Sequence, residues 1–435
     1  MVDDLVILGA GLTGLACGYF LKKEGWNNFH IYEKNGSVGG VCRSVSLGDF
    51  TFDHAGHFLH FQDDVVRKEV LSELLDENFS EHTKRSGIYL DGTITPYPFQ
   101  KNLAGLPLSV VRECLVEFLK ARLSYKERES YESFSQWVRE RLGLGIGRYF
   151  MFPYNEKLWT VPLDELTTEW MGRFVPKVSA LDVIGGALFK GSEGEGYNAS
   201  FYYPLQGGIQ SLPDAILKKA GNVTLNCRAL RVDAARKEVE FEDGRRQSYD
   251  VLVSTIPLKY FVEIVEGLEP SVYDAADLLR HNTVCNYNLV LRRRIERDEH
   301  WLYFPERNLP FYRIGLLHNI KETDKDTSVL SVEVAYKRRD FSVEEAFKGI
   351  VEGLKGIGFL EDESDIVLTC PLKIEVAYAI FDRNRKRAVS HILRSLESKG
   401  IYSIGRYGRW TYCGMEQSFL DAKALLKRLG IFRED

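Results

Sequence analysis

The stretch LVILGAGLTG, residues 5–14, restricts the fold more than any other part of the chain. Its apolar run LVIL reads as a buried strand. That run leads at once into Gly9, Gly11 and Gly14, at the spacing GxGxxG. A helix is expected from about Leu12 to Glu24, then a second strand in HIYEK that ends on Glu33. Each part has a physical task in a dinucleotide-binding unit. Gly9 makes the tight turn, Gly11 lets backbone approach a pyrophosphate, and Gly14 lets the helix pack on the strand. The helix start presents free N–H groups and the positive end of its dipole to phosphate. Glu33, roughly 20 residues on, is placed to hold a ribose hydroxyl. A glycine triplet alone would be weak evidence, but here both strands, the helix and the acidic residue are present in order.

Two other glycine-rich stretches lack that context. RLGLGIGRYF (141–150) follows no strand and reads as a turn between helices, and GLKGIG (353–358) fails the same test. By contrast, NGSVGGVCRS after Glu33 adds Gly39, Gly40 and Arg43, a second close backbone approach and a cation for phosphate. This extension resembles the GG motif of flavoproteins related to amine oxidases and protoporphyrinogen oxidase, and implies FAD rather than NAD. The following FTFDHAGHFLHF carries His54, His57 and His60. No cysteine or second histidine cluster answers them, so a zinc site is not expected. His54 and His60 read as hydrogen-bonded core residues.

The 435 residues allow two or three domains. Residues 103–190 carry helical periodicity in LSVVRECLVEFLKARL, YESFSQWVRERL and EWMGRF, whereas β-branched alternation dominates 283–340 and 366–380. The expected class is α/β: a discontinuous Rossmann-like FAD-binding domain (1–95 with 206–260 and 395–435), a helical insert (101–190) and an antiparallel β-sheet substrate domain (195–205 with 261–394). A net charge of −5 argues against a nucleic-acid partner. The seven cysteines are scattered and form no CxxC pair, which suits reduced thiols and a cytoplasmic setting. No apolar run is long enough for a bilayer span.

WLYFPERNLPFYRIG, residues 301–315, crowds aromatic rings and two prolines around Arg313. Rings suit a flat base, and an arginine fork pairs with phosphate in two places while staying charged. Trp301, Phe304 and Phe311 taken singly read as core, but Arg313 between apolar neighbours reads as an anion site rather than a surface ion pair.

With PYPFQ (96–100), FPYNEKLW (152–159), YNASFYYPLQGG (197–208), WLYFPERNLPFYR (301–313) and GRYGRWTY (405–412) in that order, the chain resembles flavin-dependent UDP-galactopyranose mutases, the eukaryotic type in particular, from residue 4 to about 427. The resemblance implies that Arg173 and Arg313 hold the diphosphate and position the sugar, helped by Tyr303, Tyr378 and Tyr412. It implies a uridine pocket of Tyr97, Phe99, Gln100, Tyr154 and Asn155, with Trp159 and Asn198 on the sugar side. His57 corresponds to a histidine against the flavin ring, Gly207 and Gly208 to a turn near the isoalloxazine, and Arg406 to a residue near the cofactor. Bacterial-type members place a phosphate tyrosine where this chain has Val334, two residues before Tyr336.

The implied activity interconverts pyranose and furanose forms of UDP-galactose or a related nucleotide sugar. N5 of reduced FAD is the nucleophile at the anomeric carbon, and an external reductant such as NADPH or a reductase keeps the flavin active. Two rival readings share part of the pattern. An oxidoreductase of the amine oxidase/protoporphyrinogen oxidase class would use the same flavin unit without an arginine–tyrosine anion site, and a mutase-like enzyme could take a different nucleotide sugar. A non-enzymatic flavin sensor would need neither the uridine nor the phosphate residues.

Overall fold

The computed structural model describes residues 4–126, 128–172, 174–189, 200–321, 324–337 and 341–432. The chain divides into two compact units. One gathers the residues up to Ser80, Tyr202–His281 and those from Asn384 onward, and the other Glu81–Phe201 and Asn282–Arg383.

The first unit is built on a five-stranded sheet in the order Ile401–Ser403, Val251–Ser254, Leu5–Leu8, Phe29–Tyr32, Val223–Thr224. Every pairing in it is parallel. Leu5–Leu8 and Val251–Ser254 are buried along their whole length, as expected for strands covered on both faces. The helix Leu12–Lys23 packs against Ser211–Ala220 and Glu416–Arg428. Leu15, Phe20, Leu212, Ile216, Phe419 and Leu426 meet there in one apolar cluster.

The second unit combines helices with a seven-stranded sheet in the order Ile366–Ile374, Thr283–Leu291, Ser328–Tyr336, Arg313–Leu316, Trp301–Tyr303, Ser86–Leu90, Thr93–Pro96. Its pairings are antiparallel apart from Trp301–Tyr303 with Ser86–Leu90. The sequence-based boundaries place residues up to 95 with the cofactor domain. In the structure, backbone pairing carries Ser86–Leu90 and Thr93–Pro96 into this second sheet instead. The helical stretch and the antiparallel sheet also share one unit rather than forming two.

Two local expectations are corrected. RLGLGIGRYF turns only at its start, where the helix Phe134–Arg141 ends and Gly143 takes φ +79°, and then continues as helix through Gly143–Ile146, Gly147–Met151 and Phe152–Trp159. Its glycines serve close packing: a Cβ on Gly145 would lie 2.6 Å from the Cα of Cys114, in the neighbouring helix Leu108–Leu123. In EWMGRF the described residues, 169–172 and 174, make turns rather than a helix. Val175 N–H bonds back to Met171 carbonyl, and Pro176 follows, which disfavours further helix.

The second unit also buries two neutral histidines, His300 and His318. His300 Nδ1 accepts the N–H of Arg85 at 3.0 Å. Burial, with Arg85, His82 and Lys84 nearby, lowers the His300 pKa from 6.5 to about 4. His318 likewise falls to about 4, through burial and then Arg294. In the unfolded chain both bind a proton below about 6.5. Between there and about 4 the unfolded state therefore holds more protons, and stability falls as pH falls. Acid melting curves should lose up to about 3 kcal/mol per histidine across that window. His300→Gln should flatten the loss, and an unchanged slope in that variant would refute the assignment.

Candidate cofactor and nucleotide sites

In the first unit several of the residues expected to hold the cofactor gather at the end of the strand Leu5–Leu8. Gly9 has φ +100°, which L side chains rarely adopt, and a Cβ there would lie 2.4 Å from Thr255 Oγ1. A Cβ on Gly14 would sit 2.0 Å from the Gly9 carbonyl oxygen, so only glycine lets the helix start so close to the turn. Gly11 is different: a Cβ there meets nothing nearer than Gly40 Cα at 3.9 Å, leaving room for an approaching ligand.

The second glycine pair is tied to the first. Gly11 and Gly39 form a parallel bridge, and Gly39 N–H donates to Ala10 carbonyl at 2.8 Å. Glu33 is buried beside this turn. Its carboxylate accepts Ala10 N–H at 2.9 Å and the backbone and side-chain N–H groups of Asn35. Arg43 Nε donates to Gly40 carbonyl at 2.7 Å. This strand, turn and helix, with glycines where a Cβ would clash and a carboxylate held at the next strand end, fit the pyrophosphate and ribose of a dinucleotide.

Asp53 organises the next part, a role that sequence reasoning did not single out. It is buried, and its carboxylate accepts Ser44 Oγ, Tyr203 hydroxyl and Ile209 N–H. Those bonds pin the turn of Gly207 and Gly208, both at positive φ. A Cβ on Gly208 would lie 2.6 Å from Ser44 Oγ. The Nδ1 of His57 lies 3.0 Å from the Ala55 carbonyl. Arg406 donates to Cys413 carbonyl and lies 5.0 Å from the ring of Tyr412. Tyr412, expected among the phosphate ligands, thus belongs to the first unit and stands beside an expected cofactor residue.

The other described residues expected to hold the nucleotide all fall in the second unit. Arg173 and Asn198 lie outside the described residues. Strand register sets Tyr303 opposite Arg313, and Arg313 opposite Glu333 on the next strand. Three neighbouring strands therefore present one row. Arg313 donates through Nε and Nη2 to both Glu333 carboxylate oxygens, at 2.6–2.9 Å. Tyr312 hydroxyl donates to the same carboxylate. Burial opposes the Arg313 charge, but Glu333 outweighs it and holds the guanidinium protonated well above its usual range. Nη1 of Arg313 has no hydrogen bond among the described residues.

Sequence reasoning set a surface ion pair against an anion site for Arg313. The structure adds a third arrangement, a buried pair that fixes the guanidinium plane and leaves one nitrogen available. Glu333 carried a signal: a carboxylate within the apolar strand SVLSVEVAY needs a partner.

Tyrosine rings surround that row. Tyr303 is 5.4 Å from Tyr97 and 5.5 Å from Tyr154, and Tyr154 stacks on Phe150. Gln100 is 1% exposed and donates to Pro176 carbonyl, while its Oε1 is a buried acceptor with no donor among the described residues. Phe99 and Trp159 have 0% exposure, so both back the wall rather than offering surface to a ligand. Phe99 stacks on Phe150, and Trp159 packs against Trp170 and Tyr378. Asn155 is buried and returns its Nδ2 to Met151 carbonyl in its own helix. At the position equivalent to the bacterial tyrosine, Val334 is buried, and Tyr336 stacks on Phe341.

Residues 12–371 match the family described as flavin containing amine oxidoreductase. The chain belongs to that family. As a flavin amine oxidoreductase family member it takes FAD, which agrees with the glycine cradle and Glu33.

Within the family, a crystal structure of reduced UDP-galactopyranose mutase is similar along the whole chain. It has TM-score 0.92 and 28% identity, and the match covers 99% of this chain and 96% of that one. The resemblance drawn from the sequence blocks therefore holds at the level of the complete fold. Similar proteins also include "Probable flavin-containing monoamine oxidase A" of Dictyostelium discoideum, at 24% identity over 58% of this chain and 57% of that protein. Protoporphyrinogen oxidase 2 of Arabidopsis thaliana matches at 23%, over 61% of this chain and 60% of its own length. The chain thus spans about 60% of the length of these curated relatives. No helix among the described residues is long and apolar enough to cross a membrane.

Proposed function

We infer that this flavoprotein is a nucleotide-sugar mutase that interconverts pyranose and furanose forms of UDP-galactose or a close relative, and that FAD must be reduced for activity. The observation that carries this reading is the row Tyr303–Arg313–Glu333 among tyrosine rings. A true amine oxidase needs no buried guanidinium held ready for an anion. The full-length similarity to a mutase structure supports the same reading.

When bound in its reduced state, FAD supplies the nucleophilic nitrogen for the anomeric carbon. The residues of the chain supply binding and leaving-group stabilisation. Arg313 offers Nη1, on a guanidinium that Glu333 has already oriented, to a diphosphate oxygen. Preorientation means little reorganisation as negative charge grows on the departing UDP. Tyr303 and Tyr378 add hydroxyl donors. Tyr97 and Tyr154 offer ring faces to the base, and the unsatisfied Oε1 of Gln100 suits a donor on its edge. The same contacts keep UDP in place while the sugar rearranges, so that the ring-contracted product can recapture it. An external reductant such as NADPH or a reductase restores the active flavin.

The test uses the holoprotein with UDP-galactopyranose and, separately, UDP-galactofuranose, resolved by chromatography. Interconversion after dithionite reduction, and none in the oxidised protein, is the expected result. Hydrogen peroxide released from an amine or a porphyrinogen, with no interconversion, would replace the mutase reading by the oxidase one.

A further inference from the structure

Lys84 lies just ahead of the strand Ser86–Leu90. Its backbone neighbourhood is fixed: Arg85 carbonyl accepts His300 N–H at 2.8 Å and Trp301 N–H at 3.4 Å. The Lys84 ammonium stands 4.9 Å from the centre of the Trp301 ring, and the Arg313 guanidinium 4.5 Å from the same centre. Two cations therefore share one indole. Glu333 is committed to Arg313 through both its oxygens and also receives Tyr312. Lys84 has neither an ion pair nor a hydrogen bond among the described residues. Two positive charges thus stand beside one carboxylate, which leaves an excess positive charge next to the Arg313 row.

That excess is costly in the free protein. Burial, then repulsion from Arg313, lowers the Lys84 pKa from 10.5 to about 8. His300, the other titratable neighbour that feels Lys84, is neutral and does not balance it. A positive charge held without a counterion beside a nucleotide-binding row is stabilised by an incoming anion.

We propose that Lys84 is a substrate-binding residue, its ammonium taking a phosphate oxygen of the nucleotide on the Trp301 ring beside Arg313. The inference rests on the nucleotide reading of the second unit and adds to it a charge that the sequence blocks do not include. Trp301 then acts as the shared platform that keeps two like charges apart while leaving both reachable by one diphosphate. The charge on Lys84 also sets a ligand preference: affinity should rise steeply from uridine to UMP to UDP.

Calorimetry on the FAD-loaded protein tests this with uridine, UMP, UDP and inorganic pyrophosphate. Lys84→Met should weaken UDP and pyrophosphate about 10- to 100-fold, leave uridine unchanged and keep the yellow colour, while Lys84→Arg should restore affinity to within a few-fold. A readout on the unaltered chain guards against a variant that fails to fold. At pH 8, UDP and pyrophosphate should protect Lys84 from acetic anhydride at least 5-fold, as read by peptide mass, and uridine should not. Equal binding by Lys84→Met, or equal labelling with and without pyrophosphate, overturns the proposal while leaving the mutase reading intact. Pyrophosphate binding that depends on Lys84, without any binding of UDP, would instead sustain Lys84 as an anion residue and remove the nucleotide reading. Failure of the unaltered chain to bind either anion would remove both.

Discussion

Gly14→Ala is expected to give a protein without yellow colour. The added methyl would stand 2.0 Å from the Gly9 carbonyl oxygen and 3.2 Å from its carbon. Neither atom belongs to a flexible side chain, so the conflict cannot be relieved by a rotamer change. Either the helix Leu12–Lys23 moves away from the strand or the turn at Gly9 opens. Both responses displace the N–H groups at the helix start, and with them the surface that receives pyrophosphate. The turn is also coupled to its neighbours through the Gly11–Gly39 bridge and the bond from Ala10 N–H to Glu33. FAD affinity should fall by at least 100-fold, measured as flavin absorbance per protein after gel filtration. Gly11→Ala makes a useful contrast. Its Cβ would have 3.9 Å of clearance, so the folded protein should tolerate it, and any loss of flavin then reports on ligand contact rather than on packing. Full flavin occupancy in Gly14→Ala would refute the cradle.

This contrast shows why the cofactor unit was legible in the sequence. Its constraints are local: a strand, a turn and a helix within thirty residues, with glycines whose roles follow from their spacing. The antiparallel strands of the second unit were legible for a similar reason, since alternation is visible along a single segment. Register was not. Nothing along 301–315 tells that Glu333 faces Arg313, because that pairing depends on how one strand slides along another. Trp159 and Phe99 illustrate a second limit. Aromatic identity suggests stacking on a base, but whether a ring shows any surface depends on what covers it, and both are covered completely. Glycine misled in part for the same reason, since Gly143 does turn the chain, at φ +79°, whereas Gly145 marks helices in close contact rather than a break. Lys84 sits in the polar run HTKRS, where only tertiary placement separates an unneutralised lysine from a solvated one.

Arg313→Ala is expected to weaken UDP binding severely while FAD stays bound. Truncating one member of a buried, hydrogen-bonded charge pair costs about 2–5 kcal/mol at a binding site, a loss of roughly 30- to 5000-fold. The variant has a second effect that must be kept separate. Glu333 is 2% exposed and would lose the cation that holds its charge, leaving only the Tyr312 hydroxyl. An uncompensated buried carboxylate destabilises a fold by about 3–5 kcal/mol, so the melting temperature should fall as well. Arg313→Ala combined with Glu333→Gln removes that penalty by removing the charge. The double variant should melt near the unaltered protein and still fail to bind UDP. Glu333→Gln alone keeps Arg313 but relaxes the fork that orients it, so UDP should bind more weakly and turnover should fall further than binding. A positioning role predicts that split, whereas a purely structural role would lower the melting temperature and leave the split absent. Were the double variant to recover both stability and UDP affinity, Arg313 would be a packing residue, and the nucleotide site would have to be sought away from the Tyr303–Arg313–Glu333 row.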